Sequence, residues 1–267
     1  MNVNVNGATF HVEQQGSGPN LVLVHGMGYT STDVWQYVVP QLAEQFSVLT
    51  YDLRGHGKST DPDNDQSIST HADDLAAILD HFDIEKASIA GFSFGGMVVQ
   101  QFALRYTDRL ENLILVTTSA CLTDEAKEYY DGRAEKIETR GVDSHADDAV
   151  RIVLSESFRE ANPDKADEYR EAFLQNNPEA YAGAMRAMLD WDGREGLSVL
   201  ENPTLVIGGG EDDTSIMGDE PGGAARELAE IMPNGQLEMI PETIHYPQIE
   251  KPEVVAGKML EFLQRSA

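Results

Sequence analysis

The sequence has one cysteine, few basic residues and no long apolar run. Cys121 therefore has no intrachain disulfide partner, and a cysteine-based metal cluster is excluded. Only 19 Lys and Arg residues stand against 46 Asp and Glu, which makes the net charge −27 at pH 7. So acidic a surface repels nucleic acid and anionic membranes, and neither is expected as a partner. The acidity fits either an ordinary acidic protein or one adapted to high salt.

Targeting and cofactor signals are also missing. Residues 1–7 carry neither the basic flank nor the apolar segment of a signal peptide, and no run approaches the roughly 20 residues of a membrane span. We therefore expect a cytoplasmic protein. The histidines lack the spacing of metal ligands, and Ser31 stands where a dinucleotide-binding loop would need its third glycine. No metal and no cofactor are expected.

Short apolar runs alternate with amphipathic stretches over much of the chain. These patterns predict strands at 9–13 (an edge strand), 21–24, 47–51, 87–90, 113–117, 204–207 and 236–240, and helices at 34–45, 69–82, 96–106, 223–232 and 252–264. Repeated strand–helix units predict an α/β fold with a mostly parallel central sheet flanked by helices. At 267 residues, the chain suits a single core domain.

The alternation stops in a central segment that is rich in Asp, Glu, Ala and Arg. Its patterns predict helices at 125–140, 146–158, 163–174 and 178–189, with no convincing strand. We interpret residues 122–196 as a helical cap inserted into an α/β core of residues 1–121 and 197–267. Such an insertion should cover the carboxyl ends of the strands, where open α/β sheets bind ligands.

The segment Gly91-Phe92-Ser93-Phe94-Gly95 follows one predicted strand and precedes a helix. In this setting the pattern G-x-S-x-G predicts a tight corner that raises a nucleophilic Ser93 above the sheet. The N–H of Phe94 would then face developing negative charge at a helix N-terminus. The simpler alternative is a Gly/Ser turn in which Ser93 only caps the helix.

A second glycine-rich loop, His25-Gly26-Met27-Gly28, follows the predicted strand at 21–24. Acyl transfer needs a second backbone N–H at the oxyanion, and a loop after a neighbouring strand can supply it. Met27 is the candidate donor, with Phe94 as the first. The alternative is a plain glycine turn.

A serine nucleophile needs a base, and His245 is the candidate. It follows the last predicted strand, on the same sheet edge as Ser93. For the other histidines we expect surface positions, helix caps or hydrogen bonds that hold loops: His11 and His81 at the surface, His71 and His145 as caps or in solvent, His25 and His56 in loops. A carboxylate must orient the base, and the turn after strand 204–207 offers Asp212, which we favour, or Asp213.

Together these motifs resemble the α/β-hydrolase superfamily over nearly the whole chain. The order Ser, Asp, His is that of the superfamily, and the turn at Asp52–Ser59 is similar to its structural turn after the next strand. Within the superfamily the chain most resembles the branch of 3-oxoadipate enol-lactonases and small carboxylesterases. The resemblance is carried by the HGMG loop at 25–28 and by the segments 16–19 and 72–75. The resemblance implies a serine hydrolase.

The substrate expected from this resemblance is a small, apolar ester or lactone. Phe92 and Trp191 are candidate contacts in its pocket. Two other functions stay open on the same fold: a ligand receptor with vestigial activity, and an acyltransferase, lyase or haloperoxidase-like enzyme that uses the same triad. The oligomeric state is not predicted.

Overall fold

The computed structural model describes residues 1–212 and 221–265, which build an eight-stranded sheet. The strands are β1 (Asn2–Val5), β2 (Ala8–Gln15), β3 (Asn20–Val24), β4 (Ser47–Tyr51), β5 (Ala87–Phe92), β6 (Leu110–Val116), β7 (Thr204–Gly209) and β8 (Gly235–Ile240). Their order is β1-β2-β4-β3-β5-β6-β7-β8. The pairings of β2 are antiparallel, and all those from β4 to β8 are parallel. The predicted α/β class is confirmed.

Helices connect the strands and fill the predicted insertion. They are α1 (Ser31–Trp35), α2 (Val39–Leu42), α3 (Ile68–His81), α4 (Phe94–Arg105), α5 (Asp124–Arg140), α6 (Ala146–Val153), α7 (Glu156–Ala161), α8 (Pro163–Leu174), α9 (Pro178–Leu189), α10 (Arg194–Leu197), α11 (Gly223–Ile231), α12 (Pro247–Glu250) and α13 (Pro252–Arg265). Among the residues described, no helix is long and apolar enough to cross a membrane.

The sheet separates two apolar cores, because successive side chains of a strand point to opposite faces. In β3, Val22 and Val24 join the core beneath α3 and α4. Leu21 and Leu23 join the core on the other face, with α1, α2 and α13. All four side chains are fully buried. The continuous apolar run of β3 therefore reflects burial on both faces.

Two predicted helices are broken in the structure. The stretch 34–45 divides into α1 and α2, because Pro40 has no N–H to continue a helix begun at Ser31. The stretch 146–158 divides at Ser155, whose hydroxyl accepts a hydrogen bond from the N–H of Phe158 and so starts α7. In both stretches the helical spacing of apolar residues continues across the break, so the spacing alone did not predict that a second helix begins there.

The N-terminal strand was missed. Asn6 and Gly7 both have positive φ, and their two-residue turn joins β1 to β2. Strand 9–13, predicted as an edge, therefore lies inside the sheet, between β1 and β4. The sequence does carry a signal for this hairpin, because the Asn6-Gly7 pair follows alternating polar and apolar residues.

Candidate active site

The candidate site lies at the carboxyl ends of the parallel strands, where the strand order reverses on either side of β3. Open α/β sheets bind ligands at such a switch point. Loops after β3, β5, β7 and β8 carry the predicted site residues to this edge. Helices of the 122–196 insertion face them across a cleft.

Ser93 occupies the corner between β5 and α4. Its backbone, at φ 51° and ψ −120°, has a conformation that residues other than glycine rarely adopt. The corner is held from below: the N–H of Ser93 donates to the carbonyl of Val116 at 3.0 Å, and the Thr118 hydroxyl donates to the Ser93 carbonyl at 2.7 Å. The predicted tight turn is present, and it projects the serine side chain into the cleft.

The corner closes tightly on its glycines. A Cβ on Gly95 would overlap the carbonyl oxygen of His25, and one on Gly91 would overlap the carbonyl of Gly95. We expect Gly95→Ala to lower the free energy of unfolding by about 1–3 kcal/mol, because backbone must move to admit the methyl group. It should also lower kcat/KM by displacing Ser93. Chemical denaturation and steady-state kinetics measure the two effects.

Gly257 in α13 is the matched control, because a Cβ there would meet no atom within 4 Å. Gly257→Ala should keep activity and gain about 0.5–1 kcal/mol of helix stability. A Gly95→Ala variant as stable and active as Gly257→Ala would contradict the close packing of the corner.

His245 follows β8 and points at Ser93. Its Nε2 lies 3.0 Å from Ser93 Oγ, and its Nδ1 lies 3.3 Å from Asp212 Oδ2. The carbonyl of His245 accepts a hydrogen bond of 2.8 Å from the buried Thr117 hydroxyl at the end of β6. The histidine is thus fixed at its backbone while both ring nitrogens reach a partner.

Glu250 supports the loop that carries His245. Its Oε1 accepts a hydrogen bond of 3.2 Å from the N–H of Ile244, and its Oε2 accepts one from the Ser155 hydroxyl. Burial raises the pKa of the Glu250 carboxyl. Since Ser155 lies between α6 and α7, this carboxyl ties the insertion to the His245 loop.

Asp212 lies in the turn after β7. Its carbonyl accepts a hydrogen bond of 3.0 Å from the N–H of Gly222, and the N–H of Glu211 donates to the carbonyl of Thr243 at 2.9 Å. The first bond joins the turn to the start of α11, and the second joins it to the loop after β8, which carries His245. Asp213, the alternative acid, lies outside the described residues. The structure brings Ser93, His245 and Asp212 together.

Of the two predicted oxyanion donors, Phe94 follows Ser93 in the chain and Met27 lines the same cleft as Ser93. Phe94 is the first residue of α4, where helix N–H groups have no intrahelical acceptor. Met27 lines the cleft in the loop after β3. His25 holds this loop as expected: its Nε2 accepts from the Leu53 N–H at 2.7 Å, and its Nδ1 lies 2.6 Å from the Gly26 carbonyl. Burial lowers the pKa of His25 to about 4, so the ring is neutral at pH 7.

The cleft above Ser93 is narrow and partly open to solvent. Its walls are mostly aromatic and aliphatic and come from both the sheet edge and the insertion: Met27, Tyr29, Phe92, Tyr130, Arg133, Ala149, Ile152, Val153, Phe173, Tyr181 and Tyr246, together with Ser93 and His245. Phe92 lies in the wall, as predicted.

Trp191 is not among the described residues that line the cleft, so its predicted contact needs correction. The chain after α9 is held against the segment between β6 and α5, because Cys121 and Asp192 form a β-bridge and the N–H of Gly193 donates to the carbonyl of Ala120 at 2.8 Å. Trp191 accordingly packs beside Gly193 against the core under α4.

Sequence reasoning missed several cleft residues, notably Tyr29, Tyr130, Arg133 and Tyr181. Tyr130 and Arg133 are three residues apart on α5 and so share one helix face, which is the signal that was available. The pattern does not say which face turns to the sheet, because α5 is polar on most sides.

Two histidines expected as caps or in solvent are buried, His71 and His145. His145 does stand at the N-cap position of α6, but its side chain makes no capping hydrogen bond. His71 packs edge-on against Phe94 with ring centroids 5.3 Å apart, beneath the corner. His145 packs against Phe173, and burial, with the charges of Arg133 and Lys136, lowers its pKa to about 3.

The buried His145 predicts a loss of stability in acid. The unfolded chain takes up a proton near pH 6.5, whereas the folded state does so only near pH 3. The free energy of unfolding therefore falls as the pH drops below about 6.5. This single group would cost about 1–2 kcal/mol between pH 6.5 and 5. Asp148 lies 3.7 Å from the ring, but its carboxylate is half exposed and water screens it.

Denaturation of His145→Gln at pH 7 and pH 5 measures this contribution, since glutamine takes up no proton. The variant should lose less stability than wild type over this range. His81→Gln, at an exposed position at the end of α3, should follow wild type. Equal pH dependence in all three proteins would contradict the prediction.

The chain is similar in sequence and in structure to known hydrolases. Residues 19–252 match a family model described as alpha/beta hydrolase fold. The chain is 28% identical over 251 residues to 3-oxoadipate enol-lactonase 2 of Acinetobacter baylyi, covering 94% of this chain and 90% of that one. An enol-lactonase structure from Burkholderia xenovorans superposes with a TM-score of 0.92, at 27% identity over 99% of this chain and all of the other. A thermophilic esterase from Thermogutta terrifontis superposes with a TM-score of 0.90, at 31% identity over 99% and 97%.

Proposed function

Since the chain belongs to the alpha/beta hydrolase fold family, we propose that it hydrolyses a small carboxylic ester or lactone through an acyl-enzyme on Ser93. The observation that carries the proposal is the 3.0 Å contact between Ser93 Oγ and His245 Nε2 at a strained strand–helix corner. Similarity to an enol-lactonase and an esterase supports the same class of substrate.

In the proposed reaction His245 removes the hydroxyl proton of Ser93 as the oxygen attacks the substrate carbonyl. Asp212 holds the Nδ1–H tautomer of the ring and stabilises the imidazolium that forms. The N–H groups of Met27 and Phe94 bind the oxyanion, and each such donor typically contributes about 2.7–4 kcal/mol to acyl transfer. His245 then protonates the leaving alcohol. In the second half of the reaction His245 deprotonates a water molecule, which attacks the acyl-enzyme, and the proton returns to Ser93 as the acid leaves.

We also propose that residues 122–196 act as a cap that shapes the substrate pocket. Four of the helices in this segment, α5, α6, α8 and α9, supply cleft residues opposite Ser93. Tyr169 of α8 donates from its hydroxyl to the carbonyl of Asp33 at 2.6 Å, which anchors the segment to the core. The apolar walls would contact the acyl group, and their small span favours small substrates.

The test combines turnover with covalent labelling. Methyl and p-nitrophenyl esters of increasing acyl length, and δ-valerolactone, should be hydrolysed with a preference for short chains. A fluorophosphonate should inactivate the enzyme by adding to one residue, and peptide mass spectrometry should locate the label on Ser93. Labelling of another residue would contradict the proposed nucleophile.

The same assays separate the alternative functions. A receptor with vestigial activity would bind the esters without turning them over. An acyltransferase would pass the acyl group to an added alcohol in preference to water. Hydrolysis that is steady and insensitive to added alcohol is expected, and either other result would overturn the proposal.

A further inference from the structure

The short linker between α6 and α7 is bonded to the loop that carries His245. Val153 is the last residue of α6, and its carbonyl accepts a hydrogen bond of 3.1 Å from the N–H of Tyr246. Carbonyl groups in the last turn of a helix have no partner within that helix. The loop after β8 supplies one here, so the end of α6 is joined directly to the residue that follows His245.

A second connection reaches the residue that precedes His245. The Glu250 carboxylate accepts a hydrogen bond of 3.2 Å from the N–H of Ile244 through Oε1, and another from the Ser155 hydroxyl through Oε2. Ser155 lies two residues after Val153, in the same linker. The insertion is therefore bonded on both sides of His245, once directly and once through Glu250.

The core holds the backbone of His245 between these two connections. The Thr117 hydroxyl donates to the His245 carbonyl at 2.8 Å. The imidazole must stay within hydrogen-bond reach of Ser93 Oγ, which lies 3.0 Å from Nε2. A small displacement of this backbone would lengthen the contact from which the proposed reaction starts, and such displacements lower rates steeply.

Glu250 is a costly residue to use for packing alone. Its side chain is partly buried, and no Lys, Arg or His nitrogen lies within 4 Å of the carboxylate in residues 1–212 and 221–265; the adjacent Lys251 pairs with Glu242 instead. A carboxylate that is removed from water without a cation loses hydration free energy that an apolar side chain would not lose. Its two side-chain bonds join Ser155 to the His245 loop, which favours a role in placing His245.

The same end of α6 is also part of the substrate cleft. Ala149, Ile152 and Val153 line the cleft that contains Ser93. A substrate held there contacts α6, and Val153 both lines the cleft and binds the N–H of Tyr246. The wall that meets the substrate and the loop that carries the base therefore belong to one hydrogen-bonded unit.

We propose that Glu250 is a positioning residue which, together with Ser155, couples the placement of His245 to the α6 wall of the substrate cleft. This role rests on the proposed ester hydrolysis and adds a residue to its machinery. Glu250 is not among the described residues that line the cleft, so it acts through the backbone of Ile244. Contact between the acyl group and α6 then helps to hold the base in place, which raises kcat as well as affinity.

The first test separates the hydrogen bonds of Glu250 from its charge. Glu250→Ala removes both bonds, whereas Glu250→Gln keeps an oxygen for Ile244 and an amide that can donate to Ser155. Glu250→Ala should lower kcat for p-nitrophenyl butyrate about 10- to 100-fold, the loss expected when a reacting group is misplaced by about 1 Å. KM should change less than about threefold, and Glu250→Gln should restore kcat to within about threefold of wild type.

Glu253→Ala is the control, because it removes the same charge from an exposed position in the first turn of α13. Its kcat should match that of wild type. A folded Glu250→Ala protein with wild-type kcat would overturn the proposal. So would an equal loss of kcat in Glu250→Ala and Glu250→Gln, since glutamine keeps the two bonds.

The contribution of the insertion is tested at Ser155. Ser155→Ala should lower kcat about 3- to 10-fold, a smaller loss because the bond from Ile244 remains, and Ser155→Thr should restore it by keeping the hydroxyl. In the double variant with Glu250→Ala the two losses should not add, because both substitutions break one chain of bonds. Additive losses would overturn the coupling.

Ser67→Ala is the matched control for Ser155→Ala. Each substitution removes the hydroxyl that caps the start of a helix, α3 for Ser67 and α7 for Ser155. Ser67 has no bond to the His245 loop within the described residues, so Ser67→Ala should keep the kcat of wild type. A loss in Ser67→Ala equal to that in Ser155→Ala would assign both effects to helix capping and overturn the coupling.

Covalent labelling distinguishes failure of this role from failure of the proposed function. A fluorophosphonate reacts with an activated Ser93 without any ester turnover. Its rate constant of labelling should fall in Glu250→Ala and recover in Glu250→Gln. If it does so while no ester is hydrolysed, the proposed function fails and the positioning role stands. If esters are hydrolysed and neither kcat nor labelling depends on Glu250, the positioning role is overturned and the proposed function stands.

Discussion

Ser93→Ala should lower kcat for ester hydrolysis by about 10⁴- to 10⁶-fold, the loss seen when an acyl-transfer nucleophile is removed. Alanine cannot form the acyl-enzyme, and His245 then has no hydroxyl within 3.0 Å to deprotonate. The fold should survive, because the Ser93 backbone makes the bonds that hold the corner. Initial rates with p-nitrophenyl butyrate, together with fluorophosphonate labelling, measure the effect.

Stability distinguishes lost chemistry from a damaged corner. Alanine keeps the Cβ at positive φ, so the free energy of unfolding should change by less than about 1 kcal/mol. Ser198→Ala, at an exposed position after α10, serves as the matched control and should keep full activity. Residual activity within tenfold of wild type in a folded Ser93→Ala protein would contradict the assignment of the nucleophile.

Asp212→Asn should lower kcat by about 10³- to 10⁴-fold with little change in KM. An asparagine amide can donate to His245 Nδ1, which would leave the Nε2–H tautomer facing Ser93 and no base for its proton. It would also leave the imidazolium without a counter-ion. The 3.3 Å separation between Asp212 Oδ2 and His245 Nδ1 carries this expectation. Rates with a short ester, measured from pH 6 to 9, test it.

Two neighbours control for position and charge. Glu211→Gln removes the adjacent acid and should leave kcat unchanged. Asp213→Asn tests the alternative acid that the sequence leaves open. A large loss in Asp213→Asn with a mild effect in Asp212→Asn would transfer the role of orienting acid from Asp212 to Asp213.

Local signals predicted many secondary-structure boundaries well. The helices at Pro163–Leu174 and Pro178–Leu189 begin and end as predicted, because a proline after an asparagine starts each one. The strand–helix order and the helical insertion also follow from periodicity. The predictions failed where tertiary packing decides: His71 and His145 are buried by neighbouring helices that a local window does not contain.

The sequence by itself determined the fold class, the family and the corner at Ser93, because a motif with its flanking strand and helix is local information. It also placed His245 on the correct sheet edge, since parallel strands end on one side. Only the tertiary structure placed the Asp212 carboxylate within reach of His245 and turned Arg133 and Tyr181 into the cleft. Those contacts join residues far apart in the chain, and helix orientation over a sheet depends on the packing of the whole molecule.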